Sequence, residues 1–277
     1  MQSNSRPIRT RFAPSPTGYL HKGHALSALW AARRAERLGG DFLVRIEDID
    51  HTRRRPEMID DILFVLEWLG LTPAREVINQ HERRAIYQAG LEELQRLDVV
   101  YPCTCTRADI IAVTGDPSAP YPGTCRSRNV PASANTAWRL RHESFADQDI
   151  SWVDLRLGRQ DSDLAAWGDV IIARKDIATS YHLAHVIDDH FQQVSHVTRG
   201  MDLYTQTPIH RALQQALGFD APVYDHHPLL MSLEEPHKKL SKRDASTSLM
   251  ALVEQGLTRE ELLQELHPLL SQLDRQT

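Results

Sequence analysis

The sequence lacks the features of membrane proteins and of secreted disulfide-rich proteins. Its 277 residues contain no apolar run close to the ~20 residues that span a bilayer. The polar stretch 1–7 has no hydrophobic core of a signal peptide, and three cysteines are too few for a disulfide framework. Low-complexity segments and internal repeats are also missing. These absences predict a globular, cytoplasmic protein without membrane association.

The sequence also lacks an excess of positive charge. The formal net charge is −5, and 25% of the residues are charged. Because phosphate contacts need lysine and arginine, an RNA-binding surface on such a chain must be a local patch. No Ser-His-Asp or Cys-His pattern indicates an enzyme nucleophile. The length suits one large domain or two smaller ones, and no feature indicates an oligomeric state.

A proline- and glycine-rich segment near the N-terminus joins a predicted strand, 8–13, to a predicted helix, 23–38. This segment, 11–24, reads RFAPSPTGYLHKGH. A helix N-terminus favours an anion because its backbone N–H groups and its macrodipole point at the ligand. His21 and His24 are three residues apart at the helix start, so both imidazoles can face one point. The segment therefore predicts a phosphate-binding site.

Two glycines and a second strand add to this predicted site. Gly18 allows a tight turn, and Gly23 lets a ligand approach the backbone closely. The predicted buried strand 41–46 delivers Glu47 at its carboxyl end, which is where doubly wound sheets bind ligands. We therefore expect Glu47 to lie near the phosphate-binding segment.

All three cysteines lie within residues 103–125, as Cys103, Cys105 and Cys125. The segment between them is rich in loop-forming residues and has little apolar material to hold it. A structural zinc ion takes four ligands, so three thiolates leave one position open. From the spacing alone, a zinc site and three free thiols both remain possible.

The second half of the sequence contains further strands and a helix. Alternation of apolar and polar residues in 137–161 predicts antiparallel strands of an insertion. We expect 169–174 to be a buried strand that returns to the main sheet, followed by a helix, 181–190, and a strand, 194–202. A short strand is predicted at 229–231, ahead of a basic loop.

That basic loop, 239–243, reads KLSKR. Ammonium groups on such a loop can stabilise negative charge that builds up during phosphoryl chemistry. Basic loops are common on protein surfaces, so this segment alone would be a weak indication of function.

Several motifs together resemble the class I aminoacyl-tRNA synthetases of the glutamyl and glutaminyl subgroup. The motifs are PSPTGYLHKGH at 14–24, RIEDID at 45–50, YHLAHVIDD at 181–189, VTRGMDL at 197–203 and KLSKR at 239–243. The resemblance implies an α/β, Rossmann-like catalytic domain that uses ATP with Mg²⁺. Its implied catalytic residues are His21, His24 and Lys242. Its implied ATP-binding residues are Gly18, His21, Gly23, His24, Lys239 and Lys242.

The same resemblance implies a pocket for L-glutamate. Its implied residues are Arg11, Phe12, Ala13, Pro14, Ser15, Glu47, Tyr181 and Arg199. Glu47 would bind the substrate α-amino group, and Arg199 would form a bidentate pair with a carboxylate. Two positions depart from the family pattern. Lys22 replaces a usually apolar residue and is expected to face solvent, and His185 replaces a usual valine without an assigned role.

For the cysteines, the resemblance favours zinc. Some members of this family carry the pattern C-x-C…Y-x-x-x-C in an insertion and bind zinc there. The matching residues in this sequence are Cys103, Cys105, Tyr121 and Cys125. The resemblance thus implies one structural, non-catalytic Zn²⁺ with a tyrosine as the fourth ligand.

The sequence ends soon after the KLSKR loop, so we expect no anticodon-binding domain. This organisation resembles the glutamyl-queuosine tRNA(Asp) synthetases, shortened paralogues of glutamyl-tRNA synthetase. The implied partners are L-glutamate, ATP and tRNA(Asp) carrying queuosine. The predicted division is 1–100 for the first half of the nucleotide-binding fold, 101–135 for the zinc-binding insertion, 136–235 for the antiparallel insertion with the second half, and 236–277 for the KLSKR loop and C-terminal helices.

Alternative functions remain open from the sequence. One is a truncated synthetase that charges tRNA(Glu) with the help of a separate anticodon-binding partner. Another is a non-catalytic RNA-binding paralogue, although such a protein would usually have lost the two histidines or Lys242. A small-molecule nucleotidyltransferase shares the HxGH motif, but it does not need the glutamate-pocket motifs.

Overall fold

The computed structural model describes residues 7–50, 52, 54–133, 135–231 and 248–274. The first half of the fold alternates strands and helices. Its elements are β1 (Arg9–Phe12), α1 (Lys22–Arg37), β2 (Asp41–Ile46), α2 (Pro56–Trp68) and β3 (Ile78–Asn79). The strands form a parallel sheet in the order β1-β2-β3. Gly39 ends α1 with a φ of +64°, a conformation that glycine adopts without strain.

The middle of the chain leaves this sheet, and part of it builds a separate antiparallel layer. The elements of this middle segment are α3 (Arg84–Arg96), β4 (Val100–Cys103), α4 (Arg107–Thr114), β5 (Ala137–Leu140), β6 (Trp152–Asp154), β7 (Gly158–Gln160) and β8 (Ile171–Ala173). Strands β4, β5 and β8 form the antiparallel sheet. Short 3₁₀ turns lie at Gln80–Arg83, His142–Phe145 and Ala165–Trp167. The expectation that 169–174 returns to the main sheet was wrong, because an apolar run indicates burial but not which sheet it joins.

The second half of the nucleotide-binding fold follows. Its elements are α5 (Tyr181–Phe191), β9 (His196–Gly200), a 3₁₀ turn (Met201–Gln206), α6 (Thr207–Ala216), β10 (Val223–His227), α7 (Leu249–Glu254) and α8 (Arg259–Asp274). The sheet order is β7-β6-β10-β9, with β10 parallel to both β6 and β9. The hairpin β6–β7 therefore pairs with the second half of the fold.

Strands β1 and β9 lie side by side at the centre of the molecule. The backbone N–H of Ser195 donates to the carbonyl oxygen of Arg9 at 3.0 Å, and Arg11 Nη1 donates to the carbonyl oxygen of Thr198 at 2.9 Å. The two halves thus meet where the strand order reverses. In a doubly wound sheet this is the place where a crevice opens beyond the strand ends. The predicted Rossmann-like α/β fold is confirmed.

Strand β10 escaped the sequence analysis, and the strand predicted at 229–231 was wrong. The segment Val223–His227 contains polar residues that hydrophobic patterning does not mark as buried. Each makes at least one hydrogen bond inside the protein, although Asp225 Oδ1 and His227 Nε2 have no partner among the described residues. Asp225 Oδ2 accepts from Trp30 Nε1 and from Arg34 Nε, both at 2.8 Å. This strand can be buried because its polar side chains have hydrogen-bond partners inside the protein, and not because apolar and polar residues alternate along it.

The C-terminal helix α8 covers the outer face of α1. Leu262, Leu266 and Leu270 are fully buried and belong to the same hydrophobic cluster as the apolar face of α1. Their spacing of four residues places them on one stripe of the helix. Within the part of the chain that the structure describes, no helix is both long enough and apolar enough to cross a membrane.

Candidate active site

A cavity of about 730 Å³ opens at the carboxyl ends of β1, β2 and β9, next to the N-terminus of α1. Most of the residues predicted for the site line this cavity: Arg11, Phe12, Ala13, Pro14, Ser15, His21, Gly23, His24, Glu47 and Tyr181. Its described walls do not include Gly18 or Arg199. Lys239 and Lys242 lie outside the described residues. One cavity thus joins the segment predicted for ATP to the residues predicted for glutamate.

The two histidines of the first motif cap helix α1. Backbone N–H of Gly23 donates to His21 Nδ1 at 3.1 Å, and backbone N–H of His21 donates to His24 Nδ1 at 3.1 Å. A nitrogen that accepts a hydrogen bond carries no proton, so each neutral imidazole has its proton on Nε2. Their ring centroids are 3.9 Å apart. The pair therefore presents two Nε2–H groups at a helix N-terminus, an arrangement suited to phosphate oxygens.

Gly23 leaves space for the ring of His21, a role that the sequence did not predict. A Cβ atom at position 23 would lie 2.9 Å from Cε1 and 3.0 Å from Nδ1 of His21. The missing side chain therefore makes room for the His21 ring, which accepts the Gly23 N–H. Gly18 lies in the bend between β1 and α1. The roles of both glycines in ATP binding stay predictions.

Beneath the cavity, a buried ion network connects Arg11, Arg45, Glu47 and Asp189. Asp189 Oδ1 accepts from Arg11 Nε at 3.1 Å and from Arg45 Nη1 at 2.8 Å. Arg45 Nη2 donates to Glu47 Oε1 at 3.2 Å. Since uncompensated buried charges are costly, each of these ions needs the others. The network fixes Glu47 at the cavity wall.

Opposing effects set the ionisation of this network. Burial raises the pKa of Glu47, and the nearby Arg45 and Arg11 only partly oppose it. For Asp189, burial also acts to raise the pKa, but Arg11 and Arg45 outweigh it and the pKa falls below its usual value. Burial raises the pKa of Tyr181 to about 12, so its hydroxyl stays protonated at neutral pH.

Arg199 sits behind the cavity wall within a group of buried histidines. Its Nε donates to His226 Nε2 at 2.9 Å, its Nη1 to His210 Nδ1 at 3.0 Å and its Nη2 to Thr207 Oγ1 at 2.8 Å. Because arginine can only donate, both histidine nitrogens accept. His226 therefore keeps its proton on Nδ1, which lies 2.6 Å from Asp154 Oδ2. The predicted pairing of Arg199 with a substrate carboxylate stays a prediction.

This histidine group and Arg45 are the parts of the site that the sequence analysis missed. His185 stacks on His210, and the ring of His182 is tilted against His210, with His182 Nδ1 3.0 Å from His210 Nε2. Burial, aided by Arg199, lowers the pKa of His182 to about 4. Arg45 is fully buried within β2. A lone arginine inside an otherwise apolar strand was the available signal, since such a charge requires buried carboxylates around it.

Lys22 does not follow the expectation of a solvent-facing side chain. It forms an ion pair with Glu265 on α8, and the side chain is 23% exposed. The described cavity wall does not include it. Its departure from the family pattern is therefore explained by the contact between α1 and α8.

The three cysteines converge as predicted. Their sulfur atoms lie within 4.8 Å of one another. The Tyr121 hydroxyl oxygen is 3.4 Å from Cys103 Sγ and 3.3 Å from Cys105 Sγ. Cys105 Sγ is 3.5 Å from Cys125 Sγ. The four side chains of the predicted ligand set thus enclose one point.

The donor set fits a zinc ion. With a Zn–S bond of about 2.3 Å, tetrahedral geometry places sulfur atoms about 3.8 Å apart, close to the separations found here. The group is largely buried and packs as a small cluster of its own. Arg139 Nε lies 3.2 Å from Cys103 Sγ, and its guanidinium stacks over the Tyr121 ring at 3.6 Å. Thiolate ligands and a nearby cation are compatible in such a site.

Helix α4 in this segment was not predicted. Thr106 and Asp109 form a capping box, in which each side chain bonds the backbone N–H of the other residue. The T-x-x-D pattern was the available signal. Gly115 ends the helix with a φ of +71°.

Comparisons with known proteins agree with this geometry. The family model for the catalytic domain of class I tRNA synthetases (E and Q) matches residues 7–272. A glutamyl-Q tRNA(Asp) synthetase from Rhodobacter capsulatus is 42% identical, over 87% of this chain and 92% of the relative. The chain belongs to the glutamyl-Q tRNA(Asp) synthetases of class I.

Other members of the class I synthetases match over different shares of their length. A glutamyl-Q tRNA(Asp) synthetase from Geobacter sulfurreducens is 42% identical over 92% of this chain and 81% of its own. The crystal structure of a glutamate tRNA ligase from Elizabethkingia meningosepticum superposes with a TM-score of 0.74 at 32% identity, covering 87% of this chain and 53% of that ligase. The glutamyl-Q synthetases are thus matched over most of their length and the ligase over about half.

Proposed function

We propose that this protein activates L-glutamate with ATP and transfers the glutamyl group to queuosine in the anticodon loop of tRNA(Asp). The observation that carries the proposal is the single cavity that places the His21–His24 pair beside Glu47 and Tyr181. Membership in the glutamyl-Q tRNA(Asp) synthetases gives the acceptor. The reaction is of the ligase type.

In the first step, a carboxylate oxygen of glutamate attacks the α-phosphorus of ATP. The bond from that phosphorus to the bridging oxygen breaks, and pyrophosphate leaves. The Nε2–H groups of His21 and His24, together with the N-terminus of α1, stabilise the negative charge that builds on the phosphate oxygens. We propose that Lys242 and Lys239 add positive charge there, and that Mg²⁺ accompanies ATP.

Substrate recognition falls to the other end of the cavity. Glu47 accepts hydrogen bonds from the substrate ammonium, as suits a carboxylate fixed by Arg45. Arg11, Tyr181 and Ser15 line the cavity and supply donors that bind carboxylate oxygens. For Arg199, which lies behind the wall, we propose a carboxylate contact through the N–H groups that His226, His210 and Thr207 do not use. The backbone of residues 12–14 forms the adjoining wall. Holding both substrates in one cavity lowers the barrier by orientation.

In the second step, a hydroxyl oxygen of queuosine attacks the carbonyl carbon of glutamyl-adenylate. The hydroxyl proton is lost, the bond to the phosphate oxygen breaks, and AMP leaves. No enzyme nucleophile is needed, because the adenylate is already activated.

For the metal site, we propose one Zn²⁺ held by Cys103, Cys105, Tyr121 and Cys125. These residues lie in a separate cluster, and the described cavity wall contains none of them. When bound, zinc supplies cross-linking between β4 and the loop that follows α4, and it takes no part in the chemistry.

The first step is tested by ATP–pyrophosphate exchange without tRNA, using all twenty amino acids in turn. We expect exchange with L-glutamate and at least about 10²-fold less with L-glutamine or L-aspartate, because buried charges that lose their partner penalise the wrong ligand. A requirement for tRNA in the exchange reaction would favour a truncated tRNA(Glu)-charging enzyme instead.

A further inference from the structure

His185 on α5 is a buried, cavity-lining side chain to which the proposed function gives no role. It lies one helical turn after Tyr181 and one turn before Asp189, so the three side chains share one face of α5. Its ring stacks on His210 with centroids 4.4 Å apart. The side chain is 1% exposed.

Arg11 determines which nitrogen of His185 carries the proton. Arg11 Nη2 lies 3.4 Å from His185 Nε2 with hydrogen-bond geometry. Asp189 Oδ2 lies 3.2 Å from the same nitrogen, but it has no hydrogen-bond partner among the described residues. Because arginine has no acceptor, the contact with Arg11 places the acceptor at Nε2 and the proton on Nδ1. Burial, reinforced by the charges of Arg11, Arg199 and Arg45, lowers the pKa of His185 well below its usual value. The imidazole is therefore neutral, with a single N–H group at Nδ1.

That N–H group is unsatisfied. Among the described residues, His185 Nδ1 has no hydrogen-bond partner. Glu47 Oε1 lies 3.8 Å away, beyond hydrogen-bond distance but within about 1 Å of it. A buried donor without an acceptor is costly, and a hydrogen bond to a charged acceptor is stronger than one to a neutral group. Glu47 is the nearest carboxylate on the Nδ1 side.

We infer that His185 is a positioning residue for Glu47. Its Nδ1–H donates to Glu47 Oε1 as glutamate binds, and together with Arg45 it leaves Oε2 turned toward the substrate ammonium. The inference rests on the proposed function, since that function gives Glu47 its contact with the ammonium. His185 therefore contributes to glutamate binding only through Glu47.

The surrounding charges are compatible with this arrangement. The charged and titratable groups that face Glu47 and His185 come from β1, β2, α5, β9 and α6: Arg11, Arg45, Tyr181, His182, Asp188, Asp189, Arg199 and His210. Asp189 accepts from Arg11 and Arg45 through Oδ1, and its Oδ2 lies on the Nε2 side of His185. Glu47 lies on the Nδ1 side and accepts one hydrogen bond, from Arg45, among the described residues. It therefore has acceptor sites for both a second donor and a substrate.

The test is a double-mutant cycle on glutamate-dependent ATP–pyrophosphate exchange by the full chain. His185→Val should lower kcat/KM for glutamate about tenfold, through KM, with KM for ATP unchanged. His185→Asn, whose amide nitrogen replaces Nδ1, should restore it to within about threefold. In a Glu47→Ala background, His185→Val should have no further effect, because the acceptor is already lost.

The outcomes separate this inference from the function on which it rests. Equal effects of His185→Val in the parent and in the Glu47→Ala background would show a merely structural role and overturn the inference. An unchanged KM in His185→Val would do the same while leaving the proposed function intact. Absence of glutamate-dependent exchange in the parent would overturn the proposed function, and the inference with it. Thermal unfolding of each variant checks that the fold is retained.

Discussion

At the scale of single residues, the cavity is shaped by charges that are already paired within the protein. Arg11 and Arg45 share Asp189, and Arg45 also holds Glu47. Arg199 donates three hydrogen bonds, to His226, His210 and Thr207. Such preorganised groups need little rearrangement when substrate binds. Within this network, burial raises the pKa of Glu47 whereas the pKa of Asp189 is lowered, so Glu47 becomes protonated first as the pH falls.

The pH dependence of glutamate binding follows from Glu47. Only the ionised carboxylate attracts the substrate ammonium, and burial raises the pKa of Glu47. We expect kcat/KM for glutamate to fall as pH drops through this raised pKa, above the ~4.3 of an ordinary glutamic acid. Steady-state exchange kinetics between pH 5 and 8 measure the profile. In Glu47→Gln the fall should be absent, and an identical fall in that variant would assign it to another group.

Most of the residues that the sequence predicted for the site line the cavity, but the sequence did not predict what supports them. The HxGH and RIED motifs have a fixed spacing and sit at element ends, so local chemistry is enough to identify them. Arg45, Asp189 and the histidines of α5 and α6 come together only through tertiary packing of distant segments. No local pattern encodes such contacts. The sequence likewise could not predict that Arg199 lies behind the cavity wall.

At the scale of elements, the cysteine cluster connects β4 to the loop after α4. Cys103 ends β4, whereas Tyr121 and Cys125 lie beyond α4, whose own side chains include no buried residue. A helix of eight residues with no buried face is marginal in isolation. The segment therefore depends on the cluster for its position.

Metal removal tests this dependence. We expect about one zinc per chain in purified protein, measured by atomic emission, and at least a tenfold lower occupancy in Cys125→Ala. The thermal midpoint should fall in Cys125→Ala and on chelation, since metal binding is linked to folding. Tyr121→Phe keeps the ring against Arg139 and removes only the hydroxyl. Full zinc affinity in Tyr121→Phe would show that tyrosine is not the fourth ligand.

Element boundaries in the first half were predictable because each signal is local. The predicted helix 23–38 corresponds to α1 (Lys22–Arg37), and the predicted buried strand 41–46 corresponds to β2 (Asp41–Ile46). Strand β8 was predicted in the wrong sheet and β10 was not predicted, and both errors have a different cause. The partners of both strands are chosen by the whole fold, and β10 is buried through polar contacts. The proposed domain boundaries stay predictions.

At the scale of the whole molecule, the buried histidines determine how stability responds to acid. His182, His185 and His210 have pKa values lowered first by burial and then by neighbouring positive charges. In the unfolded chain they titrate near pH 6.5. The unfolded state therefore binds more protons below that pH. The stability they contribute is complete above about pH 6.5 and is lost as the pH falls.

Urea unfolding at pH 7.5, 6.5 and 5.5 measures this loss. Each such histidine contributes about 1.4 kcal/mol per pH unit, so the three give a slope on the order of 4 kcal/mol per unit below pH 6. His226 and His227, whose pKa values burial also lowers, add to this slope. Net-charge repulsion is small in this range, since the sequence pI is about 6.3. In His185→Val the slope should shrink by about 1.4 kcal/mol per unit. A flat profile down to pH 5.5 would mean that the histidines are not held neutral.

The proposed acceptor, queuosine in tRNA(Asp), can be tested in a single transfer assay. Transfer of radiolabelled glutamate should be compared on tRNA(Asp) with and without queuosine, each also prepared without its 3′-terminal adenosine. We expect transfer to both queuosine-containing forms and to neither unmodified form. Transfer that ignores queuosine, or that disappears with the 3′ adenosine, would contradict this expectation and indicate ordinary 3′-end charging.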